Sequence, residues 1–209
     1  QNPARQAAMQ AGLPKEIPAY IVNQVCGSGI RSIASGFQSI KSGDSKIVIA
    51  GGQENMSLAP HAVHLRDGKK LGDTTMTDTM IKDGLWDAFH GYHMGVTAEN
   101  VAEKFQITRK EQDKFALRSQ EKALKAQKEN KFKAEIINYK IRSKKAEIDF
   151  DKDEHPRDGI NLDALSRLKP VFKKDGTVTA GNASGINDGA AAVTLMSSEE
   201  ADKKNIKKL

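Results

Sequence analysis

An α/β fold is predicted by three features of the sequence. Residues 19–25 (AYIVNQV) form an apolar, β-branched run that stops at a glycine-rich turn. A helical stripe follows, then a second apolar run at residues 46–50 (KIVIA). A third apolar run, residues 190–196, lies near the other end of the chain, with weakly periodic text in between. Strand, helix and strand in the first fifty residues predict a βαβ unit with parallel strands, the first strand buried on both faces.

Each element follows from a local pattern. The opening QNPARQAAMQAG reads as an amphipathic helix with Pro3 in its first turn, where a missing N–H costs nothing. After Gly27, Ser28 and Gly29, apolar side chains at Ile30, Ile33, Ala34, Phe37 and Ile40 define one helical face, and Gly43 caps it. The strand at 46–50 is expected to end at Gly51 and Gly52. From 56 to about 86 Ser, Thr, Asp and Gly are frequent, so the chain is expected to leave the sheet. Residues 97–105 read as a helix, and the capping box Thr108 to Glu111 opens a longer one reaching about Lys128, its Lys/Glu-rich outer face solvated. Residues 136–141 and 147–150, around RSKKA, predict a hairpin. Asn161 caps a short helix carrying Leu162, Leu165 and Leu168, and a second capping box, Ser197 to Glu200, opens the last helix.

Composition narrows the function classes. With 209 residues, 38% hydrophobic and 29% charged, the chain is globular and long enough for one large domain or two smaller ones. A net charge of +6 favours anionic partners such as nucleic acid, an anionic membrane surface or a phosphorylated small molecule. Basic residues are scattered among acidic ones and only 5% of residues are aromatic, which argues against nucleic acid. No apolar run approaches the roughly 18 residues of a membrane span, and no secretory leader pattern opens the chain, so neither membrane insertion nor export is expected. One cysteine excludes an intrachain disulfide and any Cys-based zinc cluster; the expectation is a reducing, cytoplasmic setting. The pairs His61 with His64 and His90 with His93 lack a third ligand, so no metal is expected. Glu54 reads as structural, Asp149, Asp151, Asp153 and Glu154 as an exposed acidic loop, and Asp188 as a turn residue.

The sole cysteine, Cys26, stands in NQVCGSGIRS between the first apolar run and the glycine turn. Free cysteines are more often small buried hydrophobes than reagents. A thiol at a strand-to-helix junction, however, faces the positive end of the helix dipole, where the thiolate is favoured. Flanking glycines let the backbone turn sharply and let a substrate approach, as at the serine of a nucleophile elbow. Cys26 is therefore the candidate nucleophile.

Four segments, NQVCGSGIRSIASG, GGQENMSLAPH, GYHMGVTAENVAE and TVTAGNASGINDGAAA, occur in this order. Together they resemble the thiolase family, and the second and third resemble its short-chain biosynthetic, acetoacetyl-CoA members. The resemblance runs from Asn2 to the end and implies a thiolase-like fold, layered αβαβα in the full protein. Here it implies an incomplete N-terminal half, residues 1–55 and 187–209, with an inserted loop domain, residues 56–186, that covers coenzyme A and supports tetramer assembly. The C-terminal thiolase domain is absent from the sequence on this reading.

The same resemblance implies the site. Cys26 matches the acyl-accepting nucleophile, its own N–H lining an oxyanion hole. His93 and Met94 match residues at the pantetheine and acyl end of the tunnel, Ser184 beside Ala183 matches a loop hydroxyl that meets the pantetheine, and Arg157 matches a basic contact near the nucleotide. Leu85 and Phe172 resemble apolar walls of that groove, as does Leu71, at a position where Met is common.

The implied activity is acetyl-CoA C-acetyltransferase: reversible condensation of two acetyl-CoA into acetoacetyl-CoA and CoA through an acetyl-cysteine, in lipid metabolism. Degradative 3-ketoacyl-CoA thiolysis and a non-catalytic CoA-binding role are the alternatives. The implied partners are these thioesters and CoA, with no permanently bound cofactor, in a cytoplasmic homo-oligomer built as a dimer of dimers. The family also uses an NEAF-type Asn, a GHP-type His and a second Cys, none of which is in this sequence. The chain is therefore expected to be an internal piece of a longer protein, inactive by itself.

Overall fold

In chain order the elements are α1 (Pro3–Gln10), α2 (Ser28–Lys41), β1 (Ile47–Glu54), β2 (His61–Ala62), β3 (Thr77–Asp78), a π-helical segment (Met80–Leu85), β4 (Trp86–Asp87), β5 (Tyr92–His93), α3 (Met94–Lys104), α4 (Arg109–Lys128), β6 (Tyr139–Arg142), β7 (Glu147–Phe150), α5 (Leu162–Ser166), β8 (Gly189–Met196) and α6 (Ser198–Lys203). The computed structural model describes residues 1–143 and 146–209. They divide into two units, Gln1–Gly84 with Ile186–Leu209, and Leu85–Gly185.

In the first unit, Asn2 accepts a hydrogen bond from the Arg5 N–H and so caps α1, with Pro3 at its first position. β1 and β8 pair antiparallel over eight residues, from Ile47 opposite Met196 to Glu54 opposite Gly189. One face of this ribbon receives α2, and the tightest contact is at Gly36. A Cβ there would stand 2.9 Å from Leu195 Cδ1 and 3.0 Å from Val48 Cγ1, so the helix approaches the sheet as closely as it does because position 36 has no side chain. The Ser32 hydroxyl, 2.8 Å from the Gly51 carbonyl oxygen, ties the start of the helix to the same strand. On the other face, Ile47 and Ile49 are exposed.

Several sequence expectations are corrected here. Residues 19–25 are not a strand: only an isolated Gln24–Cys26 bridge is present, and Tyr20, Ile21 and Val25 are exposed. Strand formation needs a neighbouring ladder, and no strand among the described residues pairs with this run. The expected parallel βαβ unit is therefore replaced by α2 lying on an antiparallel pair. Gly51 and Gly52 do not end the strand but lie inside β1, opposite Ala192 and Ala191, whose small side chains suit a close approach. The stripe on α2 splits, with Ile33 and Ile40 half-buried while Ile30 and Phe37 are exposed.

The second unit is organised around α3, α4, α5 and the segment 171–183. Thr108 forms the expected capping box: its side chain accepts from the Glu111 N–H while the Glu111 carboxylate accepts from the Thr108 N–H at 2.7 Å. Asn161 caps α5, which inserts Leu165 at 1% exposure, and Val178 and Ala102 are buried as well. α3 begins at Met94, three residues before the expected start, because His93 serves as its N-cap. The hairpin forms as β6 with β7, but its first strand starts at Tyr139, since Ile136 closes a turn onto the Phe132 carbonyl oxygen. Lys144 and Lys145, within the expected RSKKA turn, lie outside the described residues. At α6 only half of the expected box exists: Ser197 accepts from the Glu200 N–H without a reciprocal bond.

Candidate active site

Cys26 is exposed and immediately precedes Gly27, the N-cap of α2. The turn that presents it is built by its neighbours. Asn23 Oδ1 accepts from the Val25 N–H at 2.9 Å, the Gln24 N–H donates to Ser28 Oγ at 2.8 Å, and that hydroxyl donates to the Val25 carbonyl oxygen at 2.6 Å. Within this clamp Val25 has φ of 49°, a left-handed conformation that β-branched residues almost never adopt. Strain of this kind persists where the surroundings over-determine it; here it falls on the residue before the thiol, whereas in a nucleophile elbow it falls on the nucleophile itself. The sequence placed Cys26 at the helix entrance; the left-handed valine carried no sequence signal.

Asp188, expected as a turn residue, instead caps the turn at Met56 and Ser57 from more than 130 positions away. Its carboxylate accepts from the Met56 N–H at 2.8 Å, the Ser57 N–H at 3.0 Å and the Ser57 hydroxyl. The Ser57 hydroxyl and N–H, followed by Met56, hold its pKa below the ordinary carboxylate value. Leu71, in the same unit, is 93% exposed.

Most of the other candidates lie in the second unit. His93 and Phe172, 79 positions apart in sequence, stack with ring centroids 4.6 Å apart and planes inclined by 19°. The Gly95 N–H donates to His93 Nδ1 at 2.9 Å, which assigns the proton of the neutral ring to Nε2. A Cβ at residue 95 would intrude on the Phe172 ring, so the GYHMG glycine makes room for the stack. Met94 lines a groove of about 350 Å³ together with Thr97, Ala98, Val101, Ala102, Ile107 and Gln112. Leu85 is half-buried at the end of the π-helical segment. Arg157 is exposed, its N–H bonded to Gln120 Oε1. Ala183 and Ser184 are exposed. His90 is not paired with His93 as a metal site but lies 3.0 Å from Asp87, whose pKa is lowered by the His90 and Phe89 N–H groups and the His90 side chain. Among the described residues, no three His, Cys, Asp or Glu side chains come together in a metal-binding group.

Two buried carboxylates escaped the sequence reading. Glu99, 4% exposed, accepts from the N–H groups of Thr177 and Val178 and from the Thr177 hydroxyl. Asp113, on the helix whose charges were expected to be solvated, is buried between Arg109 and Asn182. Within TAENVAE and KEQDK neither carboxylate differs locally from its charged neighbours, and the partners that bury them, Thr177 and Val178 for Glu99 and Asn182 for Asp113, are 69 to 79 positions away.

Comparison with known proteins decides the family. The thiolase N-terminal domain family matches residues 1–199. The chain belongs to the thiolase family. It is 58% identical over 209 residues to an acetyl-CoA acetyltransferase of Rhizobium meliloti, covering 100% of this chain and 53% of the relative. It is 57% identical to the acetyl-CoA acetyltransferase of Shinella zoogloeoides, with the same coverage. Among solved structures, a Bacillus anthracis acetyl-CoA acetyltransferase superposes with a TM-score of 0.91 at 45% identity, covering 100% of this chain and 53% of that one. Human mitochondrial 3-ketoacyl-CoA thiolase gives 0.90 at 43% identity, covering 98% and 52%. This thiolase chain thus spans about half the length of the relatives it matches. Among its described residues, no helix is long and apolar enough to cross a membrane.

Proposed function

We propose that this chain is the nucleophile-bearing part of a longer acetyl-CoA C-acetyltransferase, an acyltransferase acting on CoA thioesters. The observation that carries the reading is Cys26, exposed at the entrance to α2 behind a left-handed valine, in a chain that matches thiolases along its whole length. In the proposed reaction the Cys26 thiolate attacks the carbonyl carbon of acetyl-CoA. The tetrahedral oxyanion collapses, the C–S bond to CoA breaks, and acetyl-Cys26 and CoA result. A second acetyl-CoA loses an α-proton to a base, its carbanion attacks the acetyl group, and acetoacetyl-CoA leaves as Cys26 is freed. The single cysteine cannot be both nucleophile and a sulfur base, so the chain by itself is not expected to turn over.

His93, Met94, Ala183, Ser184, Arg157, Leu85, Phe172 and Leu71 are proposed to contact the CoA thioester. Residues 56–186 are proposed as the loop domain, between residues 1–55 and 187–209 of the N-terminal domain. Assembly as a dimer of dimers, a cytoplasmic location and a place in lipid metabolism belong to the same proposal. Degradative 3-ketoacyl-CoA thiolysis is the second reading, favoured by the near-equal likeness to the human mitochondrial structure.

Replacing Cys26 by Ala in the full-length protein is expected to lower acetyl transfer by about a thousandfold or more. Mass spectrometry of the wild type with acetyl-CoA should find the acetyl group on Cys26. Retention of the wild-type rate by the variant would sink the assignment. Relative rates with acetoacetyl-CoA and longer 3-ketoacyl-CoA separate the two readings.

A further inference from the structure

We propose that Glu99 is a positioning residue for the Ala183–Ser184 loop, holding it ready for the pantetheine arm of a CoA thioester. The inference rests on Ser184 as a pantetheine contact, and it assigns to a buried carboxylate on α3 the task of setting that contact.

The geometry is a clasp. Glu99 Oε1 and Oε2 lie 2.8 and 2.9 Å from the Thr177 nitrogen, Oε2 lies 2.8 Å from Thr177 Oγ1, and Oε1 lies 2.8 Å from the Val178 nitrogen. Every partner is a donor, which suits a carboxylate and not an amide. The Thr177 hydroxyl donates to Glu99 and accepts from Gln112 Nε2 at 2.9 Å, so α3 and α4 grip one residue together. A side chain at Gly176 would collide with the Glu99 carboxylate, so the backbone is drawn up to it.

From this grip the chain runs six residues to Ser184, and it is not free over that distance. The Thr179 N–H donates to Asn182 Oδ1 at 2.8 Å, Asn182 Nδ2 donates to the Thr177 carbonyl oxygen and to Asp113 Oδ1, both at 3.0 Å, and the Ala183 N–H donates to the Thr179 carbonyl oxygen at 3.0 Å. A shift at Thr177 is therefore carried through Asn182 to Ala183, while Ala183 and Ser184 themselves stay exposed. Coupling through hydrogen bonds and a rigid turn needs no contact between Glu99 and ligand.

The test uses the full-length protein, with steady-state kinetics in acetyl-CoA. Glu99→Gln turns an amide donor onto backbone N–H donors; Thr177→Val removes only the hydroxyl link and guards against a Glu99 variant that does not fold; Thr177→Ser restores the link. The expected result is a KM raised roughly tenfold in the first two variants with kcat within about twofold of wild type, and a KM near wild type for Thr177→Ser. A melting temperature lowered with KM unchanged assigns Glu99 to structure alone and overturns the proposal, as does a fall in kcat at constant KM. If the wild-type protein transfers no acetyl group, the functional reading falls and this inference with it. That outcome is distinct, because it shows in the wild type before any variant is made.

Discussion

The turn that carries Cys26 and the loop that carries Ser184 are held by opposite means. The first is a surface device: side-chain oxygens of Asn23 and Ser28 clamp exposed backbone, and Val25 is forced left-handed to bend it. The second is anchored from beneath by Glu99, Asp113 and Thr179, which are the buried polar side chains of the described residues. A reacting atom, the part proposed for Cys26, needs exposure and a sharp approach, which backbone conformation supplies locally. A loop that must keep one shape over several residues needs anchors, and buried charged hydrogen bonds are strong ones.

If that contrast holds, core damage should act mainly on the second unit. Leu165 is the largest fully buried apolar residue among the described residues, and its carbonyl oxygen, with that of Leu168, accepts from Arg109. Leu165→Ala should cost about 2 to 5 kcal/mol in urea unfolding. A loss below 1 kcal/mol would mean that the second unit is not organised around this core.

The first unit makes the reverse prediction. Val25→Gly should relieve the left-handed strain, offset by the greater freedom of glycine in the unfolded chain, leaving stability unchanged or raised by up to about 1 kcal/mol. On the proposed function, acetylation of Cys26 in the full-length protein should slow because the turn loosens. A clear destabilisation would show that Val25 is held by packing rather than strained.

Caps sharpen the comparison further. Thr108→Ala removes a reciprocal capping box and should cost about 1 kcal/mol, whereas Ser197→Ala removes a one-sided cap and should cost less, both read from thermal melts. Equal losses would deny any value to the returning Glu111 bond.

The subtlest effect is a slope with pH. Burial opposes ionisation of Glu99, but the Val178 and Thr177 N–H groups and the Thr177 hydroxyl outweigh it and hold the pKa below normal. A depressed folded-state value gives stability that is complete above the unfolded pKa, about 4.3, and is lost as pH falls through the folded one. Glu99→Gln should therefore flatten the acid side of the stability profile of the second unit. An unchanged acid slope in the variant would remove Glu99 as its source.

Local chemistry settled what local chemistry can. The caps at Thr108 and Asn161, the stop after Lys41, the β6–β7 hairpin and the place of Cys26 at a helix entrance each depend on residues a few positions apart, so the sequence by itself determined them. The apolar run 19–25 forms no strand, and β1 continues through Gly51 and Gly52, because strand formation is decided by whatever lies alongside. Only the tertiary structure revealed the left-handed Val25, the His93–Phe172 stack and the buried Glu99, since each is imposed by partners, near or far, that outbid the residue's own preference.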